Sequence, residues 1–211
     1  MSILHRLSSL LSFSQSLSFS LSLSLSLSLT VLVSRTQRDM SNLILRRATP
    51  KDVSVLCEMG ARTFTHTFGH MYSSENLKQF LEDTYTIDKH LEALNDPRES
   101  FWLLEDENHN PLAFGQAGAC KIPVENLEPN AGEIKRIYCH PDHLGKGYGS
   151  QILERMLDWL VEVGYKPLYI GVWSENYGAH CFYKRYGFEH FSEYEFVIHE
   201  HRDREFIFKR A

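Results

Sequence analysis

The sequence has few cysteines and no excess of basic charge. Its 211 residues include 4 cysteines, and no two of them form a Cys-x-x-Cys pair. This pattern excludes a disulfide-rich scaffold and a zinc ribbon, and it indicates reduced thiols in a cytoplasmic protein. Lysine and arginine total 22 against 27 acidic residues, a net charge of −5, which argues against a nucleic-acid partner held by a broad basic surface.

Residues 1–38 contain no acidic residue, since the first is Asp39. They also contain no long unbroken apolar run. Serine and leucine alternate there, most strictly over residues 19–29, and the serines interrupt the roughly 20 apolar residues that a membrane span needs. We predict that residues 1–39 are a disordered, low-complexity leader outside the fold. It is either an organelle transit peptide or a translated CT repeat of an untranslated region, since TCT and CTC encode serine and leucine. The apolar stretch is too interrupted for a good secretory signal.

Residues 40–211 have the pattern of one globular domain. Over the whole chain, apolar residues make up 43% and aromatic residues 12%, enough to build a buried core. Strand-like and helix-like segments follow one another without an internal repeat, which predicts an α/β or α+β domain with a mixed sheet. The predicted strands are 43–47, 101–104, 112–122, 133–139, 168–172, 191–199 and 204–209. The predicted helices are 50–64, 73–81, 87–94, 148–163 and 176–186.

The segment 133–150 carries the most specific chemistry. A strand and a short loop lead into three alternating glycines, Gly145, Gly147 and Gly149, and then into a helix. Glycine lets the backbone approach a ligand closely, and the positive end of the helix together with Lys146 favours an anion. The spacing fits neither the dinucleotide-binding fingerprint nor the P-loop. The segment therefore predicts a phosphate site of a different kind.

This segment resembles a known family. The run Leu144-Gly145-Lys146-Gly147-Tyr148-Gly149 is similar to the acetyl-CoA pyrophosphate loop of the GCN5-related N-acetyltransferases, whose signature is Arg/Gln-x-x-Gly-x-Gly/Ala. Leu144 departs from that signature at its first position. A second family motif follows as Asn176-x-x-Ala179-x-x-Phe182-Tyr183-x-x-x-Gly187-Phe188. Within the family, segments 63–68, 133–138 and 171–176 look most like the bacterial PaiA-type spermidine/spermine acetyltransferases.

The resemblance implies a fold and a set of residues that bind acetyl-CoA. We expect no metal, because His66 and His70 have a metal-like spacing but no third ligand accompanies them. The implied fold is a mostly antiparallel sheet of about seven strands flanked by about four helices. In such folds the fourth strand holds the pantetheine arm, the glycine loop holds the pyrophosphate, and an asparagine contacts the arm. The positions of this sequence that match are Ile137, Tyr138, Cys139, Leu144, Gly145, Lys146, Gly147, Tyr148, Gly149, Ser150 and Asn176.

Two residues match catalytic positions of the family. Tyr183 matches a tyrosine that donates a proton to the CoA sulfur, and a phenol with a pKa near 10 suits that role. Glu133 stands where several members carry a general base, although many members use a chain of waters instead. Each residue also has a structural alternative. Tyr183 could only pack its helix, Glu133 could be an exposed strand-end carboxylate, and Asn176 could only cap the last helix.

The resemblance implies acetyl transfer to a primary amine by direct attack on the thioester. We expect a small-molecule acceptor, with polyamines first. The alternatives are a protein or peptide N-acetyltransferase and a non-catalytic acyl-CoA-binding module. We expect neither a nucleic-acid nor a membrane partner, and the family pattern allows a homodimer. A genuine transit peptide at residues 1–39 would change the expected location from the cytoplasm to an organelle.

Overall fold

The computed structural model describes residues 42–211, so the leader predicted for 1–39 and the domain start at Met40 lie outside the described residues. The described part contains seven strands and five α-helices. The strands are β1 (Ile44–Arg47), β2 (Glu99–Glu105), β3 (Pro111–Ala119), β4 (Gly132–Cys139), β5 (Leu168–Trp173), β6 (Glu189–Ile198) and β7 (His201–Arg210). The helices are α1 (Val53–Phe68), α2 (Ser74–Thr84), α3 (Ile87–Asn95), α4 (Tyr148–Glu162) and α5 (Tyr177–Arg185).

All seven strands form one sheet in the order β1-β2-β3-β4-β5-β7-β6. Every neighbouring pair is antiparallel except β4 and β5, so the predicted mixed, mostly antiparallel sheet of seven strands is confirmed. Residues 74–95 form two helices because each has its own cap. The side chain of Ser73 accepts from the N–H of Asn76, and that of Thr86 accepts from the N–H of Lys89, both at 3.2 Å.

Helices cover both faces of the sheet. On one face, which we call the α1 face, Leu56 and Met59 of α1 pack with Phe101 and Phe114 of the sheet. On the other, the α4 face, Gly115 permits the close approach of α4. An ideal Cβ at Gly115 would lie 2.4 Å from Ile152 Cγ2, so any side chain there would displace the helix. This close packing determines where the N-terminus of α4 lies.

The sheet separates between β4 and β5. Their parallel pairing consists of two matches, Gly132 with Leu168 and Glu133 with Tyr169. Beyond these pairs the strands diverge, because β4 continues along β3 while β5 continues along β7. The divergence opens a wedge in the middle of the sheet that reaches both faces. Within residues 42–211, no helix is both long enough and apolar enough to cross a bilayer.

An ion-pair network joins β1 to the start of α1. Arg46 Nη2 lies 2.7 Å from Asp52 Oδ1 and 2.8 Å from Glu105 Oε1, and the Glu105 side chain is only 6% exposed. The hydrogen bonds from Arg46 lower the pKa of Asp52 to about 2. The network therefore holds the first strand and the first helix together through three charged groups.

We expect Arg46→Gln to lower the free energy of unfolding by about 2 kcal/mol at pH 7, since it leaves the carboxylate of Glu105 buried without its cation. This value is discounted for solvent screening, because the Arg46 side chain is 35% exposed. A lowered carboxylate pKa stabilises the fold above its unfolded value of 3.8 and ceases to do so as the pH falls to about 2. The difference between the two proteins should thus shrink between pH 4 and pH 2 in urea titrations. Arg98→Gln, at an exposed pair, is the control and should change nothing measurable.

Candidate active site

A cavity of about 710 Å³ occupies the wedge between β4 and β5. It has two parts. The loop arm lies beside the glycine loop and α5, and its wall includes Ile137, Cys139, Leu144, Asn176, Ala179 and Tyr183. The carboxylate arm lies under the end of α1, and its wall includes Thr63, Tyr72, Glu133, Tyr194, Asp203 and Glu205. A molecule that entered one arm could thus meet a molecule that entered the other.

The glycine loop uses its three glycines differently. Gly145 and Gly147 have φ values of 76° and 81°, a left-handed conformation that glycine adopts without strain. Both also stand in open space, with no atom within 4 Å of an ideal Cβ. At Gly149, by contrast, a Cβ would make ordinary contacts of 3.6 Å with Cys139 Sγ and 3.7 Å with Ile137 Cγ2. The first two glycines are therefore required by backbone conformation, whereas the third is not.

The loop leads into the N-terminus of a 15-residue helix. Gly147 is the N-cap of α4, and its carbonyl accepts from the N–H of Ser150 at 3.1 Å. Lys146 Nζ lies 3.0 Å from His143 Nδ1, and partial burial together with this ammonium lowers the pKa of His143. The histidine is consequently a neutral acceptor for the lysine. An exposed ammonium thus lies beside the positive end of a helix, which suits a phosphate group.

The predicted cofactor residues fall into two groups in the structure. Five of the eleven line the cavity: Ile137, Tyr138, Cys139, Leu144 and Asn176. The other six, residues 145–150, form the loop and first turn of α4 just beyond the cavity wall. The side chain of Leu144, where the family signature has Arg or Gln, is 62% exposed and carries no charge toward a phosphate.

The three predicted residues of β4 do not share one face. Ile137 and Cys139 point to the α4 face, where both lie near Gly149. Tyr138 points to the α1 face, and its hydroxyl lies 3.2 Å from the hydroxyl of Tyr85. Alternation along a strand produces this division. A ligand in the loop arm would therefore meet Ile137 and Cys139, while Tyr138 borders the carboxylate arm.

Tyr183 lies within α5, and Asn176 immediately precedes this helix. Tyr183 is 7% exposed, and burial raises its pKa, so the phenol keeps its proton at neutral pH. Tyr183 lines the cavity, where its hydroxyl can donate to a ligand. Asn176 Oδ1 accepts from the N–H of Ala179 at 3.1 Å, so this residue is the N-cap of α5 and also part of the cavity wall. Its two predicted roles are compatible.

Glu133 is held in place rather than left free at a strand end. Its Oε2 accepts from the N–H of Lys121 at 2.7 Å and lies 3.7 Å from Lys135 Nζ. The side chain is only 13% exposed. The alternative of an exposed strand-end carboxylate is therefore wrong. The carboxylate does line the cavity, but it faces an ammonium of its own chain.

Two further carboxylates line the cavity, and the sequence did not predict them. Asp203 and Glu205 lie two residues apart on β7 and share the α1 face of the sheet. Glu205 Oε2 accepts from the hydroxyl of Tyr194 at 2.5 Å, and Asp203 Oδ2 accepts from the hydroxyl of Tyr72 at 2.5 Å. His201 Nε2 lies 2.9 Å from Asp203 Oδ1. Among the described residues, no lysine or arginine pairs with either carboxylate.

Burial dominates the electrostatics of this arm. It raises the pKa of Glu205, and the charges of Asp203 and Glu133 raise it further, while the hydrogen bond from Tyr194 opposes the shift. Burial likewise raises the pKa values of Tyr72 and Tyr194, so both remain donors. The carboxylate arm thus combines a glutamate with a raised pKa, Glu205, and two tyrosines that keep their protons. Residues 42–211 contain no group of three or more His, Cys, Asp or Glu placed to hold a metal ion.

This geometry agrees with the relatives that the chain matches. Residues 65–188, more than half of the chain, match the acetyltransferase (GNAT) family. An "uncharacterized N-acetyltransferase in pepI 3'region" from Lactobacillus delbrueckii subsp. lactis is 30% identical over 177 residues, which cover 82% of this chain and 99% of the relative. The chain therefore belongs to the GNAT family. It is an acyltransferase that uses acetyl-CoA.

Solved structures share the same fold. The PaiA N-acetyltransferase from Thermoplasma acidophilum, in complex with coenzyme A, superposes with a TM-score of 0.65 at 17% identity, covering 80% of this chain and 98% of that one. The ribosomal-protein-S18-alanine N-acetyltransferase from Escherichia coli superposes with a TM-score of 0.55 at 18% identity, covering 80% of this chain and 92% of that one. At these identities the likeness concerns the fold and does not distinguish between acceptors.

Proposed function

We propose that this enzyme transfers acetyl from acetyl-CoA to a primary amine of a small cationic molecule, with polyamines as the first candidates. One observation carries the proposal. Asp203 and Glu205 face the cavity as buried or half-buried carboxylates, and no lysine or arginine among residues 42–211 pairs with them. Lys121, Lys135 and Arg136 also line the cavity, but the part of the wall that these two carboxylates form attracts a cation.

The spacing of the two carboxylates favours an acceptor with more than one ammonium. Residues two apart on a strand point to the same face, and their Cα atoms are separated by about 6.6 Å. This separation is comparable with that of two amines at the ends of a short alkyl chain. A diamine or polyamine could then place one ammonium near Glu205 and the next near Asp203.

The loop arm supplies the remaining parts of the reaction. The N-terminus of α4 and Lys146 would hold the phosphates of acetyl-CoA, and the thioester arm would run between β4 and β5 beside Ile137 and Cys139. The main-chain groups of β4 past Glu133 have no partner on β5 and can polarise the thioester carbonyl. Tyr183 would then protonate the sulfur as it leaves.

A free amino acid is a second candidate acceptor, and Arg136 is the reason. Its guanidinium lines the cavity with His90 Nε2 at 3.5 Å and the ring centre of Tyr85 at 5.3 Å. Among the described residues it has no carboxylate partner. An acceptor that carries both an amine and a carboxylate could use Arg136 and Glu205 together.

Release of free CoA from acetyl-CoA tests the proposal with the full-length protein. We expect release with spermidine, spermine and putrescine, weaker release with a monoamine of similar length, and little with free amino acids or a lysine peptide. Asp203→Asn should raise KM at least tenfold for the polyamines and much less for the monoamine, because it removes the second carboxylate only. Arg136→Gln is the matched comparison, since it should impair amino acids alone.

Two results would contradict this assignment. Preference for free amino acids that is lost in Arg136→Gln would favour the second candidate. Saturable acetyl-CoA binding without CoA release for any amine would favour the non-catalytic acyl-CoA-binding module.

A further inference from the structure

We propose that Glu205, rather than Glu133, takes the proton from the acceptor ammonium, and that Tyr194 is the residue that positions it. This inference rests on the proposed acetyl transfer to an amine, but it does not depend on which amine is used. It places the proton acceptor on β7, whereas the sequence predicted a base on β4.

Glu133 and Glu205 differ in whether a cation of the protein lies beside them, and a general base needs a carboxylate that is free to meet the substrate ammonium. Glu133 lies 3.7 Å from the ammonium of Lys135, which it shares with Glu99, and accepts the N–H of Lys121, so its charge is already partly compensated. Glu205 has no cation beside it among the described residues, and its hydrogen-bond partner is the neutral hydroxyl of Tyr194. An ammonium in the cavity would therefore be the first cation that Glu205 meets.

The position of Glu205 is set by a glycine of β5. An ideal Cβ at Gly171 would lie 2.8 Å from Glu205 Oε2 and 2.9 Å from the hydroxyl of Tyr194. Only a residue without a side chain leaves room there for this carboxylate–phenol pair. Gly171 follows the last pairing of β5 with β4, which is Tyr169 with Glu133. The pair therefore lies over the open part of the wedge, where the two arms of the cavity meet.

The carboxylates around Glu205 raise its pKa, and the hydrogen bond from Tyr194 lowers it. Tyr194 approaches from β6, Tyr72 from the segment after α1, and Glu133 from β4, while Asp203 lies on β7 itself. The carboxylates and the burial both raise the pKa of Glu205, toward the range in which a carboxylate is an effective base at neutral pH. The hydroxyl of Tyr194 keeps one oxygen occupied, which leaves the other for the substrate.

The proton transfers balance with Glu205 and Tyr183 as the two exchanging groups. One N–H bond of the ammonium breaks and its proton passes to Glu205, which later releases it to solvent. The free amine attacks the thioester carbonyl, a C–N bond forms, and the C–S bond breaks. The sulfur takes a proton from Tyr183, which is replaced by the second proton that the nitrogen loses.

The pH dependence of kcat/KM in Glu205→Gln tests this role, with spermidine as the first acceptor and the rest of the amine panel after it. Glutamine keeps an oxygen for the hydroxyl of Tyr194 but cannot take a proton. We expect kcat/KM to fall at least 100-fold at neutral pH, in the range typical of a lost general base, and the acidic limb of the profile to disappear. Tyr194→Phe should keep the limb but shift it to higher pH, because the hydrogen bond from Tyr194 lowers the pKa of Glu205.

Matched variants separate this role from a loss of structure. Glu195→Gln, on the exposed side of the same hairpin, should leave the profile unchanged, and circular dichroism should show all variants folded. Glu133→Gln should lower the rate but keep the acidic limb. If kcat/KM of Glu205→Gln stays within threefold of the value for the unchanged enzyme and the acidic limb persists, the role of Glu205 is overturned while the proposed function stands. Failure of the unchanged enzyme to acetylate any amine would instead overturn the proposed function and this inference with it.

Discussion

Replacement of Tyr183 by phenylalanine should lower kcat about 100-fold while the dissociation constant of acetyl-CoA stays within about threefold. The phenol is buried in the loop arm and keeps its proton because burial raises its pKa. General acids contribute between about 100-fold and 10,000-fold to rates. We expect the lower end, because a thiolate is a stable leaving group, with a thiol pKa of about 8.5.

A second tyrosine of the same segment provides the control for this prediction. Tyr186, which follows α5, donates to Glu154 Oε1 at 2.8 Å and does not line the cavity. Tyr186→Phe should leave kcat unchanged in the same CoA-release assay. Equal rates for Tyr183→Phe and the unchanged enzyme would show that Tyr183 only packs its helix.

Gly115→Val should lower the free energy of unfolding by about 3 kcal/mol, at the upper end of what overpacking of a core costs. A Cβ at this position would lie 2.4 Å from Ile152 Cγ2 and 2.7 Å from Met156 Sδ. The flexible thioether of Met156 can rotate away, but isoleucine has little freedom at its first side-chain torsion, so relieving the clash with Ile152 displaces α4. Because α4 begins at the glycine loop, acetyl-CoA binding should weaken as well.

Urea denaturation and acetyl-CoA titration of the same preparations measure both effects. Gly178→Ala, in the first turn of α5, is the control, because its Cβ would meet only Asn176 Oδ1 at an ordinary 3.8 Å. We expect that variant to be as stable as the unchanged protein or slightly more so, since alanine favours a helix. A Gly115→Val protein of unchanged stability would mean that α4 does not pack as closely as described.

Most elements of the fold could be predicted from the sequence, because their signals are local. The helix predicted over 148–163 is found as Tyr148–Glu162, since its apolar stripe and the glycine after it define both ends. The strand predicted over 101–104 extends further, to Glu99–Glu105. Its ends carry buried glutamates that pair with Lys135 and Arg46, and such ion pairs across distant segments leave no periodic signal.

The loop arm could be anticipated from the sequence and the carboxylate arm could not. The glycine loop and Tyr183 lie in contiguous motifs whose chemistry is readable in order. Asp203 lies just before the strand predicted over 204–209. Glu205 lies within that strand, where its sequence context is typical of a solvent-exposed carboxylate. Only the pairing of β7 with β6 and β5 brings Glu205 to Tyr194 and to the gap at Gly171. A site assembled across a sheet depends on register, which this sequence does not reveal.

The carboxylates around the cavity also affect how firmly the protein is folded. A carboxyl group whose pKa rises on folding favours the folded state when it is protonated, and this contribution is lost as the pH rises through the folded value. Above that value the ionised, half-buried Glu205 beside Asp203 and Glu133 thus opposes folding. A cation that binds there relieves the repulsion and binds the folded state alone. We therefore expect the thermal stability of the enzyme to rise with the concentration of such a cation.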